Sequence, residues 1–212
     1  MKTKVAIITA DVILSSKKEA TERLNLYKNI TEGIKFIQSS FDFNFERNRG
    51  DEFQMKITKI KEACIIGLLI KLWVKSIDYN TSKQKYDIRM SIGIGEEDFE
   101  EETMAESDGE AYHLSGRGLE TIKKTKQTFS IDSNDKNKEF LKIESRMLDV
   151  FIDKMTAMQS IVLFYKLLDL TENEIAEKLR LSQSTINQHS NAANWSVITE
   201  YTNFFEKLYA NE

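Results

Sequence analysis

The 212-residue chain has no proline, one cysteine, eight glycines and no long uninterrupted apolar run. Each scarcity excludes something. The single cysteine, Cys64, rules out a disulfide framework and a zinc cluster, and its apolar neighbours assign it to core packing. The longest apolar run, Ala63 to Val74, is interrupted by Lys71 and too short to span a bilayer, so it reads as a buried helix. Met1-Lys2-Thr3-Lys4 leads straight into Val5-Ala6-Ile7-Ile8 without the pattern of a secretory signal, so a cytoplasmic location and no membrane partner are expected. All glycines lie between Gly33 and Gly118. Without glycine or proline beyond that point, the remaining ninety or so residues should be almost wholly helical. The earlier part mixes strands and helices, and the polar cluster Ser133-Asn134-Asp135 marks the expected boundary.

The composition, 41% hydrophobic and 30% charged, suits a globular protein of one large or two small domains. The net charge of −4 hides an asymmetry: Glu96 to Glu110 holds nine acids and no base, leaving +5 for the rest. Such a run is expected to be a solvated loop, the functional alternative being a mobile acidic flap that screens a phosphate site.

The nearly continuous apolar run Val5 to Ile13 predicts a central strand. Ser15-Ser16 then offers an N-cap for a helix from Lys17 to Gln38, with Leu24, Tyr27, Ile30, Ile34 and Ile37 as its apolar stripe. Phe41 to Glu46 and Gln54 to Thr58 alternate with a strand's period, and Arg49-Gly50-Asp51-Glu52-Phe53 between them predicts a tight hairpin. A helix from Lys59 to Ile77, a strand from Tyr86 to Ile94, a helix from Ala111 to Lys124 and a closing strand at Phe129-Ser130-Ile131 complete the first part. The order β-α-β-β-α-β is the ferredoxin-like split motif, which many unrelated proteins share. Two carboxylates hold strategic places: Asp11 at the end of the first strand and Asp51 on the hairpin tip. Such a pair can hold Mg²⁺ against a triphosphate.

Four stretches agree in order and spacing: Ala10-Asp11-Val12-Ile13, Gly50-Asp51, Arg89-Met90-Ser91-Ile92-Gly93-Ile94-Gly95, and Gly109 through Arg117. Over residues 4 to 133 they resemble the class III nucleotidyl cyclase catalytic domain, and the hairpin alone resembles the diguanylate cyclase Gly-Gly-Asp/Glu-Glu-Phe signature. The whole chain is similar to the SatD family of bacterial proteins. The cyclase resemblance implies a palm-like fold with Asp11 and Asp51 as metal ligands for Mg²⁺ or Mn²⁺. It implies two ions about 4 Å apart acting on a nucleoside triphosphate. Val12, Ser15 and Ser16 would offer N–H groups to its phosphates at the start of the first helix. By the same resemblance, Arg117 stabilises transition-state charge, and Arg47 stands where a base-selecting lysine is kept. Glu52 would be an extra metal or hydroxyl contact. His113 replaces the asparagine that orients the ribose, and Gly118 stands where a leucine follows the arginine. The cyclases draw the aspartates and the arginine from opposite subunits, which implies a homodimer.

From Lys138 to Leu170 apolar residues recur at helical spacing, too many for a solvated helix. Thr171 with Glu174 forms a capping box, and Ser182 caps a second helix. Residues 171 to 194 resemble a helix-turn-helix of the sigma-factor or LuxR type, whose base-reading candidates are Gln183, Ser184, Asn187 and Gln188. Gln183 to Asn194 carries no lysine or arginine, and from Asp135 onward nine bases face twelve acids, so phosphate attraction works against DNA binding. The expected whole is an α+β protein. Residues 1–133 form a palm-like ferredoxin domain, and residues 134–212 an all-α domain with a helix-turn-helix. The leading function is metal-dependent nucleotide binding of the cyclase type, with nucleotidyl transfer or cyclisation. The alternative is a transcriptional regulator that senses a nucleotide and binds DNA.

Overall fold

The computed structural model describes residues 3–13, 18–47, 51–79 and 86–211. Strand β1 (Thr3–Val12) is central because its residues from Val5 to Ala10 are buried on both faces. It is flanked by β3 (Glu52–Ile57) and β4 (Ile88–Phe99), both antiparallel to it, and β2 (Asn44–Arg47) pairs with β3 outside. The order β2-β3-β1-β4 is that of the ferredoxin-like motif. Two further strands share the outer edge of β4: β6 (Phe129–Ser133) runs parallel to residues 90–94, and the two-residue β5 (Asp108–Gly109) pairs antiparallel near Glu97.

Alternation along β1 sorts its side chains between two faces. Ala6, Ile8, Ala10 and Val12 enter the main core beneath helices α1 (Ala20–Gln38) and α2 (Ala63–Ser76). Val5, Ile7, Thr9 and Asp11 face the other way, towards α3 (Glu110–Lys123). Strand β3 divides in step, with Phe53, Met55 and Ile57 in the main core and Glu52, Gln54 and Lys56 on the α3 side. Helix α3 crosses from β4 to β6 and lies unusually close to the sheet. A Cβ on Gly93 would collide with the Ala111 carbonyl and the Ser115 amide, and one on Gly118 would collide with the Ser91 hydroxyl. The departure at Gly118 thus has a packing cause.

Several sequence expectations shift. Helix α1 begins at Ala20 rather than Lys17, and Leu24 is 68% exposed; Leu26, Ile30, Ile34 and Ile37 make the buried stripe. The proposed Ser15-Ser16 cap lies outside the described residues. The acidic run is a solvated loop only in part: residues 100–107 form a largely exposed loop, but the two ends of the run are structured. Strand β4 continues through it to Phe99, Met104 is buried with Val5 and Ile7, and Glu46 accepts the Met104 amide. Lys56 pairs with Glu97 at 2.7 Å and Glu100 at 2.8 Å. Burial works against the Lys56 charge, but these two carboxylates outweigh it and hold its pKa above the ordinary lysine value. One buried cation therefore anchors two of the nine acids.

The expected helical stretch from Lys138 breaks into α4 (Lys138–Asp153) and α5 (Ala157–Lys166). Thr156 starts α5 with a capping box to Gln159. Helix α4 packs on β6, and its Asp149 accepts from the amide and hydroxyl of Thr128 at 2.9 and 2.6 Å. Helix α5 packs on α2, with Phe164 against Trp73 (ring centroids 5.2 Å apart). The apolar core therefore runs without interruption past residues 133–135. Helices α6 (Glu172–Leu179) and α7 (Gln183–Ala192) have their own small cluster of Val162, Ile175, Ala176 and Ile186. The Thr171 capping box and the Ser182 cap are present, and Arg180 makes the turn in the left-handed conformation. Helix α8 (Trp195–Leu208) returns to the α+β part, where Tyr209 donates to Asp135. Among the described residues no helix is long and apolar enough to cross a membrane.

Candidate functional site

The strand register assembles the site. Asp11 lies opposite Glu52 on β3 and opposite Arg89 on β4, so all three project from the α3 face in one row. The last residue of α3 brings Lys123 Nζ to 3.6 Å from Asp11 Oδ2, and Arg89 Nη1 stands 4.0 Å from Asp11 Oδ1. Neither cation satisfies the inner oxygen. Asp11 Oδ1 is buried without a hydrogen-bond partner, and so is Arg89 Nε. Asp51 is held next to this row because its carbonyl accepts the Val12 amide at 3.2 Å.

Burial raises the Asp11 pKa above the usual carboxylate value; Lys123 and Arg89 oppose the shift and the Asp51 charge reinforces it. A half-buried carboxylate with a like charge beside it and an oxygen lacking a donor is short of positive charge. The donor set therefore fits a hard divalent cation. Among the described residues no three of His, Cys, Asp or Glu gather as a ready-made metal cage. Mg²⁺ does not require one, because one or two carboxylates suffice when substrate phosphates complete its shell.

A buried ion pair sets the position of the row. Lys71, fully buried on α2, donates to Asp87 at 2.8 Å and to the Ile88 carbonyl at 2.8 Å. Lys75 reaches the other Asp87 oxygen at 3.2 Å, and the Asp87 carbonyl accepts the Ile13 amide. Burial lowers the Lys71 pKa, while Asp87 works to keep it charged. Asp87 itself is held below the usual carboxylate value: burial opposes this, but Lys71 and Lys75 prevail. The start of β4, and with it Arg89, is thereby fixed against the end of β1.

The expected site residues do not all converge. Asp11, Asp51 and Glu52 do. The Val12 amide is taken by Asp51 and the Ile13 amide by Asp87, so neither is free for phosphate as expected; Ser15 and Ser16 lie outside the described residues. Arg47 lies opposite Phe53 and turns to the α1 face, its guanidinium carbon 3.9 Å from the centre of the Tyr27 ring. His113 lies ten residues before Lys123, about 15 Å along the helix axis, and its Nε2 meets Asp108 Oδ1 at 3.1 Å. Arg117 lines a separate cleft with Lys142 and Arg146 of α4. In a single chain, neither His113 nor Arg117 joins the Asp11 row. Lys123 escaped sequence reasoning because its role depends on the close seating of α3. Arg89 was visible as part of a motif, but only the register shows its neighbour.

In the tail, Glu172 accepts from Gln183 and, at 3.1 Å, from Asn187. Ser184 bonds Ser182 at 2.9 Å, and Gln188 is exposed. Two of the four residues expected to read bases are thus tied to a carboxylate.

No family model matches the chain, and neither does any curated protein. Solved structures similar to it include a bacterial light-regulated adenylyl cyclase, at 17% identity and TM-score 0.47, covering 62% of this chain and 43% of that one. An adenylate/guanylate cyclase/hydrolase from Silicibacter pomeroyi is 23% identical with TM-score 0.47, covering 57% of this chain and 71% of that one. The GGEEF domain of a diguanylate cyclase from Vibrio cholerae is 13% identical with TM-score 0.45, covering 63% and 85%. The chain therefore spans less than half the length of the light-regulated enzyme.

Proposed function

We propose that the protein binds a nucleoside triphosphate through a divalent cation, Mg²⁺ or Mn²⁺, at the end of β1, and that nucleotidyl transfer or cyclisation is the chemistry of this site. The observation that carries the reading is Asp11: half-buried, flanked by Asp51 and Glu52, with its inner oxygen unsatisfied. Asp11 and Asp51 would hold the cation, and Glu52 would add a further oxygen or a hydroxyl contact. Lys123 and Arg89, already within 4 Å of Asp11, would turn to the triphosphate once the cation balances the carboxylates. The cation would neutralise phosphate charge and lower the pKa of the attacking ribose hydroxyl.

A homodimer belongs to this reading, since His113 and Arg117 reach a triphosphate only from a second copy. An apolar surface suited to self-association exists on α4, where Ile143, Met147 and Val150 are 60%, 54% and 50% exposed. Met147→Asp is expected to convert the dimer to monomer in light scattering; a wild-type monomer at high concentration would remove this part.

The test of the main reading is incubation with each NTP and Mg²⁺ or Mn²⁺, with products identified by mass spectrometry and binding followed by calorimetry. Asp11→Asn and Asp51→Asn should each weaken metal-dependent NTP binding by at least about a hundredfold, because even the partners of metal ligands cost about 10–100-fold when removed. Binding without turnover would keep the metal site and eliminate the enzyme. Undiminished binding in both variants would sink the site.

The regulator reading draws on the capped pair α6–α7, whose shape suits a helix-turn-helix. It is opposed by Glu172, which holds Gln183 and Asn187, and by the excess of acids over bases from Asp135 onward.

A further inference from the structure

On the side of α3 away from Asp11, a cleft of about 370 Å³ is lined by Arg117 of α3, Gln127, Ser130 and Asp132 of β6, and Lys142 and Arg146 of α4. Three cations share it with one carboxylate. Lys142 Nζ stands 3.7 Å from Asp132 Oδ2, and the guanidinium groups of Arg117 and Arg146 have no ion-pair partner among the described residues. Two further atoms here, Ser130 Oγ and Asp132 Oδ1, are buried without a hydrogen-bond partner. Beneath them Ser91, opposite Ser130 in the register and fully buried, has an unsatisfied hydroxyl as well. Buried polar atoms are rarely left without partners, and the two on residues that line the cleft, Ser130 Oγ and Asp132 Oδ1, point to an occupant.

The chemistry of these groups narrows what that molecule is. Paired guanidinium groups recognise phosphate oxygens by charge-assisted, bidentate bonds. A bare phosphate would leave Asp132 Oδ1 unsatisfied, because an ionised carboxylate only accepts. The occupant must therefore carry hydroxyl or amino donors besides its anionic end. The volume lies near the lower end of ligand pockets, about 300–1,000 Å³, which suits a small molecule rather than a polymer. We infer that this cleft is a second binding site, formed within one chain and alternative to Arg117 reaching into a second copy, for a small phosphate ester bearing hydroxyl or amino donors, of the size of a nucleoside monophosphate. The phosphate sits between Arg146, Lys142 and Arg117, and the donors meet Asp132.

Calorimetry of the full chain in EDTA with AMP, GMP and ribose 5-phosphate tests the assignment. At least one should bind without divalent metal, while adenosine and inorganic phosphate bind about tenfold more weakly or worse. Arg146→Ala and Lys142→Ala should each weaken binding by about tenfold, the usual cost of losing a charged hydrogen bond, and Asp11→Asn should leave it unchanged. In the wild-type protein the amide resonances of residues 127–132 should shift on addition of the ligand. No binding of any of the three at millimolar concentration overturns the assignment. So does binding that Arg146→Ala leaves intact, binding lost in Asp11→Asn, or shifts confined to the β2–β3 hairpin.

Discussion

Helix α3 separates two polar sites of opposite composition. Towards β1, the carboxylates of Asp11 and Glu52 with nearby Asp51 are met by Lys123 and Arg89, and the atoms left wanting are an acceptor, Asp11 Oδ1, and a donor, Arg89 Nε. Towards β6, Arg117, Lys142 and Arg146 are met by Asp132 alone, and the excess is of cations. On the readings proposed above, the first site would take a metal and the second an anion. Lys123 and Arg117 lie six residues apart on one helix yet serve different sites, because α3 presents one flank to β1 and another to α4.

The largest expected effect tests whether the first site depends on its buried support. Asp87→Asn leaves the Lys71 ammonium, which has no exposed surface, without its carboxylate. Breaking such a pair from one side costs about 3–5 kcal/mol, so thermal unfolding should move to clearly lower temperature. Unchanged unfolding would mean that the pair adds nothing. Next in size, Lys123→Met should weaken NTP binding by roughly tenfold, the loss of one charge-assisted contact, without changing nucleoside monophosphate binding in the cleft behind α3. Equal losses at both sites would erase the distinction between the flanks of the helix. The smallest effect concerns Asp11 itself. Its pKa is raised in the folded protein, so the fold disfavours the ionised form. The sign is thus the reverse of the usual carboxylate case: the favourable contribution is complete below the unfolded pKa near 4 and is lost as pH rises through the folded value. Asp11→Asn should therefore raise, not lower, the melting temperature of the metal-free protein at neutral pH, and flatten its decline above pH 4. A lower melting temperature at pH 7 would show that Lys123 and Arg89 outweigh the burial of the carboxylate.

Much of this organisation is legible along the chain. The alternation on either side of Gly50-Asp51 marks the hairpin, and the long apolar run marks α2. Thr171 with Glu174 marks α6, since each depends on neighbours within a few residues. The break before α5 is legible too, since Thr156 and Gln159 form the same capping box as Thr171 and Glu174, although no proline or glycine accompanies it. The acidic run misled for the opposite reason. Its charge density describes a solvated segment, and only the distant Lys56, together with Glu46, turns part of it into strand and cover.

The sequence by itself determined the elements and their order, the two acids at the strand end and hairpin tip, and the helical character of the chain beyond residue 135. These follow from local periodicity, caps and breakers. Tertiary structure alone decided which acids and bases meet. The register of β1 between β3 and β4 sets Asp11 between Glu52 and Arg89, the close seating of α3 over Gly93 and Gly118 brings Lys123 to the same row, and the packing of α4 on β6 puts Arg117 with Arg146. Pairings between residues so far apart in the chain are fixed by burial and strand hydrogen bonding, which no short window of sequence contains.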